Sequence, residues 1–294
     1  AETLTTTLGS PGPAVDEQSE LDQAQSGDGR MGRIASQIAS ALFLALLAVV
    51  LWEVAKLVSG TGDTKMPHVW SILAHFGTTT SQGEPYSTFM LLNVWSTAKA
   101  SLTGLVLGVG LGMLTGIAIA RSRLVGYGLT PLVVAAQAVP IVAVAPALVL
   151  WLGTGAATKA AIATYLTYFP VTIATTRGIQ AVPAESRELF HTIGASKRTV
   201  LFGLEIPFAL PLIFVGLETA AAFSVVGAIV AELPFGSPDG LGVVILTSWQ
   251  FYIFQPEALY CVALAACSLG AVFVLGIRSI AYFSLGSRSQ GEVL

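Results

Sequence analysis

The sequence predicts an all-α integral membrane protein with six transmembrane helices, on three observations. The 294 residues are 54% hydrophobic and only 11% charged, against about 25% charged in a soluble domain. The apolar residues lie in long, nearly charge-free runs of about 20 residues or more, the length a helix needs to cross a ~30 Å hydrocarbon core. Lys and Arg gather at alternate ends of those runs.

Residues 1–29 carry Glu2, Asp16, Glu17, Glu20, Asp22 and Asp28 without a base, and read as a disordered tail. A membrane domain over 30–285 and a short tail over 286–294 follow. The expected spans are 34–58, 91–120, 129–152, 156–179, 208–231 and 258–283. Polar, glycine- and proline-punctuated sequence separates the first two, with His68 and His75 expected to be exposed there. The N-terminus does not read as a signal peptide, because the first apolar run is too long for one.

Without the six tail acids the chain holds 11 acids against 14 bases, so the net charge of -3 understates a basic membrane portion. One set of span ends holds Arg30, Arg33, Arg121, Arg123, Arg177, Arg187, Lys197, Arg198, Arg278 and Arg288; the other holds Lys56, Lys65, Lys99 and Lys159. The positive-inside rule then predicts both termini in the cytoplasm. Scattered bases give no nucleic-acid surface. Cys261 and Cys267, six apart in one apolar run, face different sides of a helix and form no disulfide or metal framework. No G-x-x-x-x-G-K-[ST], H-E-x-x-H, G-x-S-x-G or C-x-x-C occurs, so no catalytic, cofactor-binding or metal-ligating residue is assigned.

Within the spans, Gly104, Gly108, Gly112 and Gly116 form a stripe at every fourth position, suited to close helix approach inside one bundle or between subunits. Gly240 and Gly242 follow the outer end of the fifth span, and Glu232 there suits a cap or hinge. Pro131, Pro140 and Pro146 should bend the third span, whose freed carbonyls a cavity can satisfy. Gln137 and Pro140 are therefore candidates for a pathway wall, with Tyr168 of the hydroxyl-rich fourth span and Ser224 of the fifth. Glu218 lies eleven residues after Pro207, roughly 16 Å along a helix and near mid-membrane. A carboxylate there should be paired, protonated or facing water, so it is a candidate for the pathway or for a bundle ion pair.

The polar stretch 183–207 reads as a structured knuckle. Pro183 suits the first position of a short helix and Glu185 its first turn. Leu189, Phe190 and Ile193 share a face, Gly194 suits a left-handed cap, and Ser196 can cap a second short helix running to Leu204. Pro207 and Pro211 follow where the chain turns back into apolar sequence. Such a knuckle suits a protein contact.

In this stretch the chain resembles the permease subunits of binding-protein-dependent ABC importers. Their signature, E-A-A, three residues, G, nine residues, I-x-L-P, stands here as Glu188-Leu189-Phe190, Gly194 and Leu204-Glu205-Ile206-Pro207. Small residues are usual where Leu189 and Phe190 stand. Met66-Pro67-His68, Gln137 to Pro140, Ala145-Pro146, Trp151-Leu-Gly153, Val230-Ala-Glu232 and Gly240-Leu-Gly242 resemble the nitrate/sulfonate/taurine branch. The segment 137–146 and the run Phe223 to Ala228 resemble permeases for pyrimidine thiamine precursors. Glu218 departs from the Arg or Lys common in that branch.

The resemblance implies a type I ABC importer permease fold in a bacterial inner membrane, a translocation subunit rather than an enzyme. Implied partners are an ABC ATPase dimer at the cytoplasmic face, an extracytoplasmic solute-binding protein, a second permease copy and the surrounding lipid bilayer. ATP and Mg would reside in the ATPase. Glu185, Arg187, Glu188, Leu189, Phe190, Ile193, Gly194, Ala195 and Arg198 become the ATPase-coupling residues, with Phe190 and Ile193 buried in the partner and Arg187, Glu188 and Arg198 around them. The competing readings are an ion- or proton-coupled carrier using Glu218 and a non-transport scaffold.

Overall fold

The computed structural model describes residues 39–40, 43–233 and 237–285. The expected acidic tail, Arg30, Arg33, the start of the first span, and Arg288 with the 286–294 tail lie outside the described residues. The chain divides into two compact units, Ala1–Gly62 and Asp63–Leu294. The described part of the first is α1, helical over 43–59, with the Ser59 hydroxyl donating to the Lys56 carbonyl near its end.

The second unit contains α2 (Val69–His75), α3 (Tyr86–Arg121), α4 (Arg123–Gln137), α5 (Ile141–Leu152), α6 (Ala156–Gln180), α7 (Ala184–Thr192), α8 (Lys197–Val200), a π-turn over Leu201–Glu205, α9 (Ile206–Glu232), α10 (Leu241–Gln250) and α11 (Pro256–Leu285). Its centre is α6, packed between α3 and α9 through small residues. The stripe on α3 lies on α6 in register: Gly104 meets Ala163, Gly108 meets Thr167, Gly112 meets Val171 and Gly116 meets Thr175. Both numberings rise together, so α3 and α6 run parallel. Gly178 meets Ala209, Gly216 meets Ala174 and Gly227 meets Ala163, so α9 runs antiparallel to them. The glycine stripe thus serves packing within this chain.

Two consecutive long helices that run parallel require a return crossing between them, and α4 with α5 supplies it. Val133 of α4 packs with Ile119 and Phe169, the Tyr165 hydroxyl donates to the Ala136 carbonyl at 2.6 Å, and Ala145 of α5 reaches Ile162 and Ala231. The pair is bent by 97°. The expected single kinked span is two helices, because Pro140 occupies the cap position of α5 in extended geometry and supplies no N–H to continue α4.

Tyr86 near the start of α11 and Leu105 near Phe273 show that α11 runs with α3. Arg121, Gln180, Ile206 and Leu285 therefore mark one end of the bundle, here the basic end, while Tyr86, Ala156, Glu232 and Pro256 mark the opposite end. By length and composition, α3, the rod Lys197–Glu232 and α11 can each cross a membrane, and the bent pair, counted as one broken span, makes up to four among the described residues. The threonine-rich α6 is less apolar because α3 and α9 shield it: Thr158, Thr167, Thr172 and Thr175 are all buried.

Three local expectations change. The second knuckle helix does not stop at Leu204, and Pro207 and Pro211 do not turn the chain: α8, the π-turn and α9 form one continuous rod. Pro207 has no N–H for the Gly203 carbonyl and its ring crowds that position; the wider turn, with Ile206 N–H donating to the Leu201 carbonyl, accommodates it. Pro183 sits one residue before α7 in extended geometry. His68 and His75 are half-buried, His75 lying edge-on to Tyr86 at 4.6 Å.

Candidate functional sites at the two ends of the bundle

At the basic end the knuckle is a capped, tethered unit. After α7, Gly194 takes φ +71, its N–H donates to the His191 carbonyl, and the Ala195 N–H donates to the Phe190 carbonyl, both at 3.0 Å. This pair of bonds is a Schellman closure, which requires the left-handed residue glycine supplies without strain. The Ser196 hydroxyl then accepts the Thr199 N–H at 3.2 Å to start α8.

Glu205 ties this unit to the bundle. Buried in the π-turn, its carboxylate lies 3.4 Å from Arg187 Nε of α7 and 3.6 Å from Arg121 Nε at the end of α3. Arg121 also donates to the Lys197 carbonyl, and Arg187 to the Ile179 carbonyl at 2.6 Å. The sequence reading placed Arg187 in the outer ring of contacts; its guanidinium instead turns inward. Phe190 leans half-buried over Gly203, so it packs the knuckle instead of projecting from it. The outward apolar pair is Leu189, 62% exposed, and Ile193, 69% exposed. Glu185, Glu188 and Arg198 are exposed around them, and Ala195 is half-buried.

At the opposite end a buried polar lock holds α10. Glu232 is 1% exposed; its carboxylate accepts the Thr97 hydroxyl at 3.0 Å and the Gly242 N–H at 2.9 Å, and pairs with Lys159 Nζ at 3.2 Å. Lys159 also donates to the Asp239 carbonyl at 2.7 Å and to Asp239 Oδ1 at 2.9 Å. That hydrogen bond holds the Asp239 carboxyl below the usual aspartate range. The Asn93 side chain accepts the Gly240 N–H, and Thr97 accepts the Leu241 N–H. A Cβ on Gly240 or Gly242 would strike the Glu232 side chain, which is why both positions need glycine. The expected cap at Glu232 is a junction of α3, α6, α9 and α10.

The pathway candidates do not converge. Gln137 lines a cleft of about 430 Å³ with Val139, Ile141, Tyr165, Phe169 and Phe223. Pro140 caps α5 beside it, and Tyr168 is half-buried edge-on to Phe169. Ser224 is fully buried and donates to the Ala221 carbonyl, so it faces packing. Glu218 lies 3.5 Å from Arg278 of α11, an ion pair that answers the mid-membrane carboxylate.

Sequence reasoning missed Glu205, Lys159, Thr97, Asn93 and Asp239. A lone lysine inside an apolar run is itself a signal of a buried partner, but by position Lys159 falls among the outer-end charges. Glu205 fell on the free position of the I-x-L-P signature.

Residues 108–285, more than half of the chain, match the family model described as "Binding-protein-dependent transport system inner membrane component". The chain belongs to that family. The permease is 38% identical over 139 residues to the formylaminopyrimidine transport permease protein ThiX of Halalkalibacterium halodurans, covering 47% of this chain and 55% of that protein's length. It is 29% identical over 210 residues to the putative aliphatic sulfonates transport permease protein SsuC of Bacillus subtilis, covering 71% and 74%. With further relatives named for taurine and bicarbonate, these matches place the permease in the nitrate/sulfonate/taurine branch, whose members are transport subunits and not enzymes. A solved structure of the MetNI methionine ABC transporter in inward-facing form aligns with TM-score 0.57 and 16% identity, covering 67% of this chain and 97% of that one. The shared fold is that of a type I importer permease.

Proposed function

We propose that the permease is the translocation subunit of an ATP-driven importer for a small organic solute or anion. The knuckle 183–207 is the docking point for an ABC ATPase dimer, which holds the ATP and Mg and does the hydrolysis. A second copy of the chain completes the pathway, and an extracytoplasmic solute-binding protein delivers cargo at the end marked by Glu232. The basic end and both termini face the cytoplasm of a bacterial cell. Similarity to a formylaminopyrimidine permease favours a related heterocycle, ahead of sulfonate, taurine or nitrate.

The observation that carries this reading is the tethered knuckle. A lever must keep its shape under load, and here the Schellman closure, the Ser196 cap and Glu205 between Arg121 and Arg187 brace one short helix against α3, α6 and the α9 rod. Leu189 and Ile193 face outward as apolar anchors, with Glu185, Glu188 and Arg198 as a polar rim. Motion applied there reaches α9 and the lock at Glu232 without crossing a flexible joint. The ion pair of Glu218 with Arg278 weighs against a proton carrier using Glu218.

Replacing Gly194 with Val tests the coupling, because a β-branched residue resists positive φ. The reconstituted complex of permease, ATPase and loaded binding protein is expected to keep basal ATP hydrolysis while uptake collapses. Uptake per ATP equal to that of the unaltered complex would refute the lever.

A further inference from the structure

A second concave feature lies at the basic end, outside the knuckle. A cleft of about 810 Å³ opens between α3, α4 and α6. Arg121 and Arg123, on either side of the α3–α4 turn, and Arg177, in the last turn of α6, stand at its mouth. Ile119, Val133 and Ile173 line its deeper wall. Among the described residues, no acidic side chain lines it. Arg121 is engaged with Glu205 and the Lys197 carbonyl. Among the described residues Arg123 and Arg177 have no ion pair or side-chain hydrogen bond.

We propose that this cleft binds one acidic phospholipid, its phosphodiester held by Arg123 and Arg177 and the upper part of one acyl chain lying along the apolar wall. Arg123 and Arg177, two cations without an acidic partner among the described residues, create a demand for negative charge. Along α6 the cleft runs from Thr172 to Gln180, about 12 Å of helix rise, with Ile173 one turn before Arg177, so apolar and charged lining sit one above the other, as chain and headgroup do in a leaflet. A small soluble anion would use the mouth and leave the wall wet; a neutral lipid would use the wall and leave the arginines unmatched. Basic pockets between transmembrane helices at a membrane interface recognise acidic headgroups on this principle. The assignment does not depend on which solute is carried. Occupancy would brace the turn that carries Arg121, and through Glu205 the knuckle.

The test uses the full chain, purified in detergent and titrated with phosphatidylglycerol or phosphatidylcholine of identical chains, read by native mass spectrometry and thermal midpoint. Phosphatidylglycerol should stay bound and raise the midpoint, and phosphatidylcholine should do neither. Arg123→Gln with Arg177→Gln should weaken phosphatidylglycerol binding about 30-fold, one interfacial charge's worth at each position. Both side chains are exposed, so the lipid-free midpoint of the double variant should match that of the unaltered chain. Equal retention of the two lipids, or unchanged retention in the double variant, would overturn the proposal. Inorganic phosphate raising the midpoint as far as phosphatidylglycerol would reassign the cleft to soluble anions and overturn the lipid.

Discussion

Replacing Gly104 with Val tests whether the glycine stripe sets the spacing of the bundle. A Cβ at Gly104 would lie 2.3 Å from the Ala163 Cβ and 3.0 Å from the Ala160 oxygen and the Ala163 carbonyl carbon. Ordinary carbon contacts are about 3.5–4.0 Å, and none of these atoms belongs to a side chain that can rotate away. The helices must therefore part by more than about 1 Å, before the two valine methyls find room. Overpacking of this kind costs about 1–3 kcal/mol, and the rigid neighbours put Gly104→Val near the upper figure. At roughly 2–4 °C per kcal/mol for a domain of this size, the thermal midpoint should fall by about 6–12 °C. Gly110 is the control on the same helix, since a Cβ there meets nothing within 4 Å; Gly110→Val should change stability by less than about 0.5 kcal/mol. Both variants are purified in detergent and followed by thermal unfolding and by self-association. Equal shifts for the two would refute the packing argument. A Gly104→Val chain that melts normally but no longer self-associates would instead make the stripe a subunit contact.

Three further outcomes follow from the same geometry. Lys159→Met leaves the Glu232 carboxylate buried without its cation, which should cost about 3–5 kcal/mol. Adding Glu232→Gln should recover most of that, and a double variant as unstable as the single would show that charge is not the cause. The Asp239 carboxyl is held low by its bond to Lys159; its folded value lies below its unfolded one, so its contribution is complete above about pH 3.9 and is lost as pH falls through the folded value. Asp239→Asn should flatten that acid limb of the stability curve, and an unchanged limb would refute the assignment. Glu205→Gln keeps the shape but removes the charge between Arg121 and Arg187. Amide exchange in Ala184–Thr192 should quicken by about tenfold, equivalent to ~1.4 kcal/mol of local opening; unaltered exchange would remove Glu205 from the tether.

Burial of the functional charges separates what was legible from what was not. The knuckle could be read locally because its determinants are local: Gly194 must take positive φ, Ser196 must cap, and the spacing from Glu188 to Pro207 lies within one short segment. The stripe from Gly104 to Gly116 could be read as a packing face, since a period of four on a helix is a line of contact. Its partner could not, because two readings of such a line, within a chain and between chains, have the same sequence. The parallel register with α6 distinguishes them. The failures have one physical source. Arg187 and Phe190 look like outward residues of an exposed helix, and turn inward only because Glu205 and Gly203 come back beside them through the π-turn.

By itself the sequence determined the membrane class, the alternation of basic and poor ends, the short capped knuckle and the family signature, because hydrophobic length, charge asymmetry and cap chemistry act over a few turns of helix. Tertiary structure alone decided that α3 and α6 run parallel with α4 and α5 returning between them. It also decided that Glu218 meets Arg278 and that Lys159, Glu232 and Asp239 form one lock around the start of α10. The reason is that an ion pair in a low-dielectric interior is set by which helices meet, and helices meet through glycines and alanines that carry no charge to announce their partners.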